Sequence, residues 1–172
     1  ITGVTVATGD GSEPVENGAV LVRGGRVVYA GPASGMPASG GATAIDGQGA
    51  WVTPGIVAAI TTLGLLDVGG VGESNDSSAR NSPFSAALDV APAVNPNSQH
   101  ILVHRAAGVT RAATTTSPSA SIFAGQGAII DLGADPNAVM RPRAFQMVAL
   151  GEQGGRIAGG SRVAAHVLFR NA

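Results

Sequence analysis

The sequence changes texture at Pro54-Gly55, and that join constrains the fold more than any other stretch. Beyond it runs Ile56-Val57-Ala58-Ala59-Ile60, a continuous apolar segment of the kind expected for a strand buried on both faces. A long polar segment follows, Gly69 to Asn97, rich in Gly, Ser, Asn, Asp and Pro. Asn97 or Ser98 is placed to cap a helix reaching Ala107, and Gly108 sits where a C-terminal glycine belongs. Val109 to Thr114 then reads as the next strand. The order strand, long loop, helix, glycine, strand is that of a βαβ unit in a parallel sheet or barrel.

Before the join the patterns are short and β-like. Asn17-Gly18 marks a turn ahead of Ala19-Val20-Leu21-Val22-Arg23, and Gly24-Gly25 links that run to Arg26-Val27-Val28-Tyr29-Ala30. Two β-rich runs joined by two glycines predict a hairpin. Gly31 to Gly41 reads as a loop, and Ala44 to Val52 as a further strand pair around a turn. Residues 1–53 are therefore expected to form a small β-sandwich-like module. In the last third, Gly127 to Leu132 is strand-like, Asp135-Pro136 opens a turn, and Ala144 to Leu150 is helical or extended. Arg162 to Arg170 reads as a closing helix, and no repeat of 20 to 50 residues is visible.

Composition narrows the function classes. All ten basic residues are arginines, scattered without a run or interleaved aromatics, and net charge is −1, which argues against a nucleic-acid groove. The absence of cysteine removes disulfides, zinc–thiolate sites and a cysteine nucleophile, and suits cytoplasm and periplasm equally. The most apolar run, Val52 to Leu66, is broken by Pro54, Gly55 and Gly64 and is too short to span a bilayer. Ile1 opens directly inside a strand-like pattern and the last helix stops two residues before Ala172. Those bare ends are what a chain trimmed from a longer one would show, although Asn171 is also a suitable helix cap.

The stretch Trp51-Val52-Thr53-Pro54-Gly55-Ile56-Val57-Ala58-Ala59-Ile60-Thr61-Thr62-Leu63-Gly64 resembles the signature of metal-dependent amidohydrolases, above all the imidazolonepropionase-like group. In that family a β-module ends in Pro-Gly-hydrophobic-hydrophobic-Asp-Ala-His-x-His, at the end of the first barrel strand. Gly24 to Val28 resembles the family's N-terminal sandwich, Ala106 to Thr110 the approach to barrel strand 2, and Phe123 to Ile130 a loop-strand of the same group. The resemblance implies an α/β chain, with a β-sandwich-like module over 1–53 and the opening of a TIM-type (β/α)8 barrel over 54–172. It departs from the family at the metal motif. Ala58 stands in place of Asp, and Ile60 and Thr62 in place of the two histidines. Ile and Ala offer no lone pair, and a Thr hydroxyl is a poor ligand beside imidazole. The resemblance therefore implies no metal bound by this stretch, and one divalent metal, zinc, held elsewhere in a longer protein.

Other residues carry side chains able to bind a metal or a substrate. His100 and His104, four apart on the expected helix, present two rings to one side, as a shared metal site or as ordinary histidines on a helix flank. Barrel sites lie at strand ends, which favours the flank. Glu73, Asp76 and Asp89 fall in the polar segment after the first strand and are candidates for a cation or a substrate amine, or simply for a solvated loop; no calcium-loop spacing appears. Thr114 to Ser121 places hydroxyls after the second strand, with Ser117 a candidate substrate contact, against the plainer reading as a proline-containing turn. No base near Ser117 in sequence suggests a nucleophile. Gly125-Gln126-Gly127 could approach a ligand through backbone N–H groups, or be a glycine turn, and His166 reads as structural.

Two functions follow. One is an amidohydrolase-type hydrolase acting on a C–N bond of a cyclic amide or peptide-like small molecule, with Thr62, Glu73, Asp76 and Ser117 as substrate-binding residues and the chain alone inactive. The other is a catalytically silent relative kept as a binding or structural module. Neither involves nucleic acid or membrane. Unclosed strand edges lead to the expectation of a homo-oligomer, or of completion by the rest of a parent chain.

Overall fold

Gly24 and Gly25 both take positive φ, +56° and +73°, the backbone a two-residue hairpin of matching twist needs. In the computed structural model, which describes residues 1–172, they join β2 (Val15–Arg23) to β3 (Arg26–Pro32), with Arg23 opposite Arg26. β1 (Val4–Val6) pairs antiparallel with β2 on one side and parallel with β4 (Trp51–Val52) on the other. The result is one four-stranded sheet in the order β3-β2-β1-β4. Its core is small: Val4, Val6 and Val20, with Ile1, Val15 and Val52 packed against them. Residues 1–54 hold this single sheet. The expected strand pair over Ala44 to Val52 is corrected. Asp46 bridges Thr2 and Trp51 pairs with Thr5, so both segments lie along the same edge of the N-terminal strand. The turn at Gly47 is held to that edge by its own N–H, bonded to the Thr2 carbonyl at 2.8 Å.

The chain divides into two compact units, Ile1–Pro54 and Gly55–Ala172. The second holds a four-stranded sheet in the order β5-β6-β7-β8: β5 (Ile56–Thr61), β6 (Val109–Thr114), β7 (Phe123–Asp131) and β8 (Val139–Val148). β5 and β6 are parallel and joined through α1 (Gln99–Ala106), as expected for a βαβ unit. β7 and β8 then run antiparallel, and the sheet stays open. The sequence of parallel units therefore ends after one. The physical reason is connection length: residues 115–122 and 132–138 contain no helix, and a parallel crossover needs a dozen or more residues.

α1 shows how local chemistry positions an element. Ser98 is its N-cap, accepting from the His100 N–H at 3.3 Å and donating to the Leu66 carbonyl at 2.7 Å. Asp67 accepts from the Gln99 N–H at 2.7 Å, so two of the helix's orphan donors are satisfied. Gly108 ends it with φ +91°. Only Ile101 of the helix is buried, in a cluster with Leu63, Val109, Ala112, Ile130 and Leu132. With one apolar anchor, α1 depends heavily on its cap. Ser98→Ala removes the cap and leaves the half-buried Leu66 carbonyl without its donor, so it is expected to cost about 2 kcal/mol of unfolding free energy, read from urea denaturation. A loss below about 0.5 kcal/mol would show that the cap is dispensable.

A second cluster, Leu65, Val90 and Ala128, packs the long polar segment onto β7. β5 contradicts its sequence pattern. Expected to be buried on both faces, it is an edge strand, with Ile56, Val57 and Ile60 at 57%, 64% and 66% exposure. A run of apolar residues records that burial is available to a strand; neighbouring strands decide whether it occurs. α2 (Glu152–Ile157) and α3 (Arg162–Arg170) complete the unit, Phe169 lying 6.2 Å from the Phe123 ring. No helix is long and apolar enough to cross a membrane.

Candidate functional site

The C-terminal ends of the parallel strands β5 and β6 bring two hydroxyl-rich segments side by side. Thr115 N–H donates to the Thr61 carbonyl at 2.9 Å, and the Thr61 hydroxyl to the Ala113 carbonyl at 3.1 Å. Thr114, fully buried, donates to the Leu63 carbonyl at 2.8 Å, and Thr116 to the Ala124 carbonyl. These three hydroxyls are spent on neighbouring backbone carbonyls, Ala113 on β6, Ala124 on β7 and Leu63 just after β5. They tie the strand ends together. They are not free to meet a ligand.

Thr62 and Ser117 differ, since no protein partner takes their hydroxyls, and both line one cavity of about 390 Å³. Ile60, Met147 and Gln153 contribute other parts of its wall. Ser117 is held by its own N–H, which donates to the Ser77 carbonyl at 2.7 Å, so the loops after β5 and β6 are tied together there. Gln153 of α2 donates to the Pro118 carbonyl at 2.6 Å and closes a third side.

Of the four residues expected to contact substrate, Thr62 and Ser117 meet in this cavity. Glu73 and Asp76 do not line it. Glu73 belongs to a short turn, Gly72–Ser74, and the Asp76 N–H is bonded to the Leu65 carbonyl at 2.7 Å. Asp89 lies 3.8 Å from Arg143 as an ion pair. His100 and His104 border a different cavity of about 430 Å³, and the His104 Nδ1 lies 2.7 Å from the His100 carbonyl oxygen, one helical turn back. His166 is exposed on α3. Gly125-Gln126-Gly127 presents no open N–H row, because the Gln126 N–H is bonded to Leu88 and Gly127 lies against the Phe145 ring. Sequence reasoning missed Gln153 and Met147. Only the folding back of β8 and α2 brings them to the strand ends.

The strand end does not fit a divalent metal. Ile60 and Thr62 are two apart on β5 and its extension, where one ring nitrogen each would be required, and no group of three or more His, Asp or Glu side chains is arranged to hold an ion.

The chain is similar to the N-terminal part of amidohydrolase-superfamily proteins. The crystal structure of an amidohydrolase from Thermotoga maritima matches 99% of this chain with a TM-score of 0.72, at 22% identity, and the chain spans 45% of that protein. A 5-methylthioadenosine/S-adenosylhomocysteine deaminase from Symbiobacterium thermophilum is 53% identical over 58 residues, 33% of this chain and 13% of that enzyme. An imidazolonepropionase from Acidiphilium cryptum is 51% identical over 49 residues, 28% of this chain and 12% of the relative. No family model matches the chain.

Proposed function

We propose that these residues form the substrate-facing opening of an amidohydrolase-like hydrolase acting on the C–N bond of a cyclic amide or peptide-like small molecule. In this reading β5-α1-β6 begins a (β/α)8 barrel, with the single sheet of residues 1–54 as its accessory module. The observation that carries it is the meeting of Thr62 and Ser117, two hydroxyls without protein partners, in one cavity at the ends of adjacent parallel strands. Ligands of parallel α/β folds bind at that end. There the two hydroxyls can donate to and accept from an amide group, orienting it, beside apolar wall supplied by Ile60 and Met147. Chemistry on the bond belongs to groups other than these. Ser117 has no base beside it, and a divalent metal such as zinc would take its ligands from residues outside this chain.

The test is turnover by the protein at its full natural length against cyclic amides and N-acyl peptides. Thr62→Val and Ser117→Ala are each expected to raise KM about tenfold with kcat nearly unchanged, the mark of lost ground-state hydrogen bonds. The 172 residues alone are expected to be inactive. Absence of C–N hydrolysis by the full-length protein, or turnover indifferent to both substitutions, would defeat the proposal. A second reading, a catalytically silent binding or structural module, is favoured by Ile60 and Thr62 where the resembling family carries imidazoles. It predicts ligand binding without turnover.

A further inference from the structure

Beside the Thr62–Ser117 cavity lies a larger basin, about 590 Å³, bounded by the loop after β5, the loop after β6 and α2. We infer that this basin binds a small molecule through an oxyanion, a carboxylate or a phosphate group, held between the guanidinium groups of Arg80 and Arg156.

The two arginines are 76 positions apart in sequence and reach the same cavity from different elements. No Asp or Glu lines it, in a chain whose net charge is −1, so positive charge is concentrated here against the overall balance. Arg80 forms no ion pair. Arg156 is bonded to Glu152 at 3.0 Å, but both side chains are largely exposed, at 72% and 86%. An exposed i,i+4 pair of this kind is weak and screened, so a ligand oxyanion displaces the carboxylate at little cost. Ser78, Ser117 and Ser119 add hydroxyl donors around the cavity. The two loops and α2 that bound it are joined by the Ser117-to-Ser77 and Gln153-to-Pro118 hydrogen bonds. Two guanidinium groups on one concave, hydroxyl-lined space suit the bidentate acceptor geometry of carboxylate and phosphate. The lining has no aromatic residue for stacking and no extended basic track, which excludes a nucleic-acid strand as the occupant.

Ser117 faces both cavities, so the inference rests on the hydrolase reading only for where the rest of the ligand lies. Anion binding is scored by equilibrium titration without turnover, and its failure is distinct from a failure of hydrolysis. Isothermal titration of the protein with succinate and, separately, with inorganic phosphate is expected to show saturable binding of at least one. The better-bound anion identifies the group. Arg80→Gln and Arg156→Gln are each expected to weaken that binding about tenfold or more, as loss of a charge-assisted hydrogen bond implies. Arg26→Gln, in the β2–β3 hairpin, is expected to leave it unchanged. No saturable binding of either anion, or an affinity unaltered by either basin substitution, would overturn the inference.

Discussion

Gly125→Ala is expected to lower the unfolding free energy by about 3 kcal/mol, combining the cost of a left-handed backbone for an L side chain with that of an overpacked contact. Gly125 has φ +91°, and a Cβ built there would lie 2.7 Å from both the Cβ and the carbonyl oxygen of Leu88. Neither atom has room to withdraw. The Leu88 carbonyl accepts the Gln126 N–H at 2.6 Å, and Val90 N–H donates to the Gln126 carbonyl at 3.2 Å, so the long polar segment is laced to β7 across this glycine. Val90, 2% exposed, would be levered out of its cluster with Leu65 and Ala128. Gly108 is the control: its φ is also +91°, but no atom lies within 4 Å of its Cβ position. Gly108→Ala is therefore expected to cost only the backbone share, about 1 kcal/mol. Urea denaturation of both variants checks the pair, and equal losses would show that close approach at Leu88 contributes nothing.

The second large effect concerns association. The 172-residue chain in isolation is expected to self-associate, because its second sheet leaves β5 with one unpaired edge and three well-exposed apolar side chains, Ile56, Val57 and Ile60. Burying each is worth about 1–2 kcal/mol, and an unpaired strand adds a row of backbone donors and acceptors to be satisfied. β8 is the other outer strand, and Met140 on it is 48% exposed. Sedimentation velocity should show oligomers that Val57→Lys with Ile60→Lys dissociates, since charge on an edge strand opposes pairing. A monodisperse wild-type monomer would refute this.

What the sequence by itself determined is local. The β2–β3 hairpin was legible in Gly24-Gly25 because only residues tolerant of positive φ make that turn. The span of α1 was legible because Ser98 and Gly108 satisfy its ends within a few residues. Pro54-Gly55 marked the change of unit because a proline and a glycine interrupt both neighbouring patterns. Thr62 and Ser117 line one cavity because the segments after a parallel pair of strands leave on the same side. The remainder was decided by tertiary structure, for one physical reason: proximity between distant segments is not encoded at either position alone. Glu73 and Asp76 follow β5 as Thr62 does, but the loop's course takes them out of the wall of that cavity. Ile56 to Ile60 is apolar enough for burial on both faces, yet its exposure depends on what pairs with β5. The antiparallel return of β7 and β8 placed Gln153 and Met147 at the strand ends. The same return brought Arg156 to the cavity that Arg80 also lines.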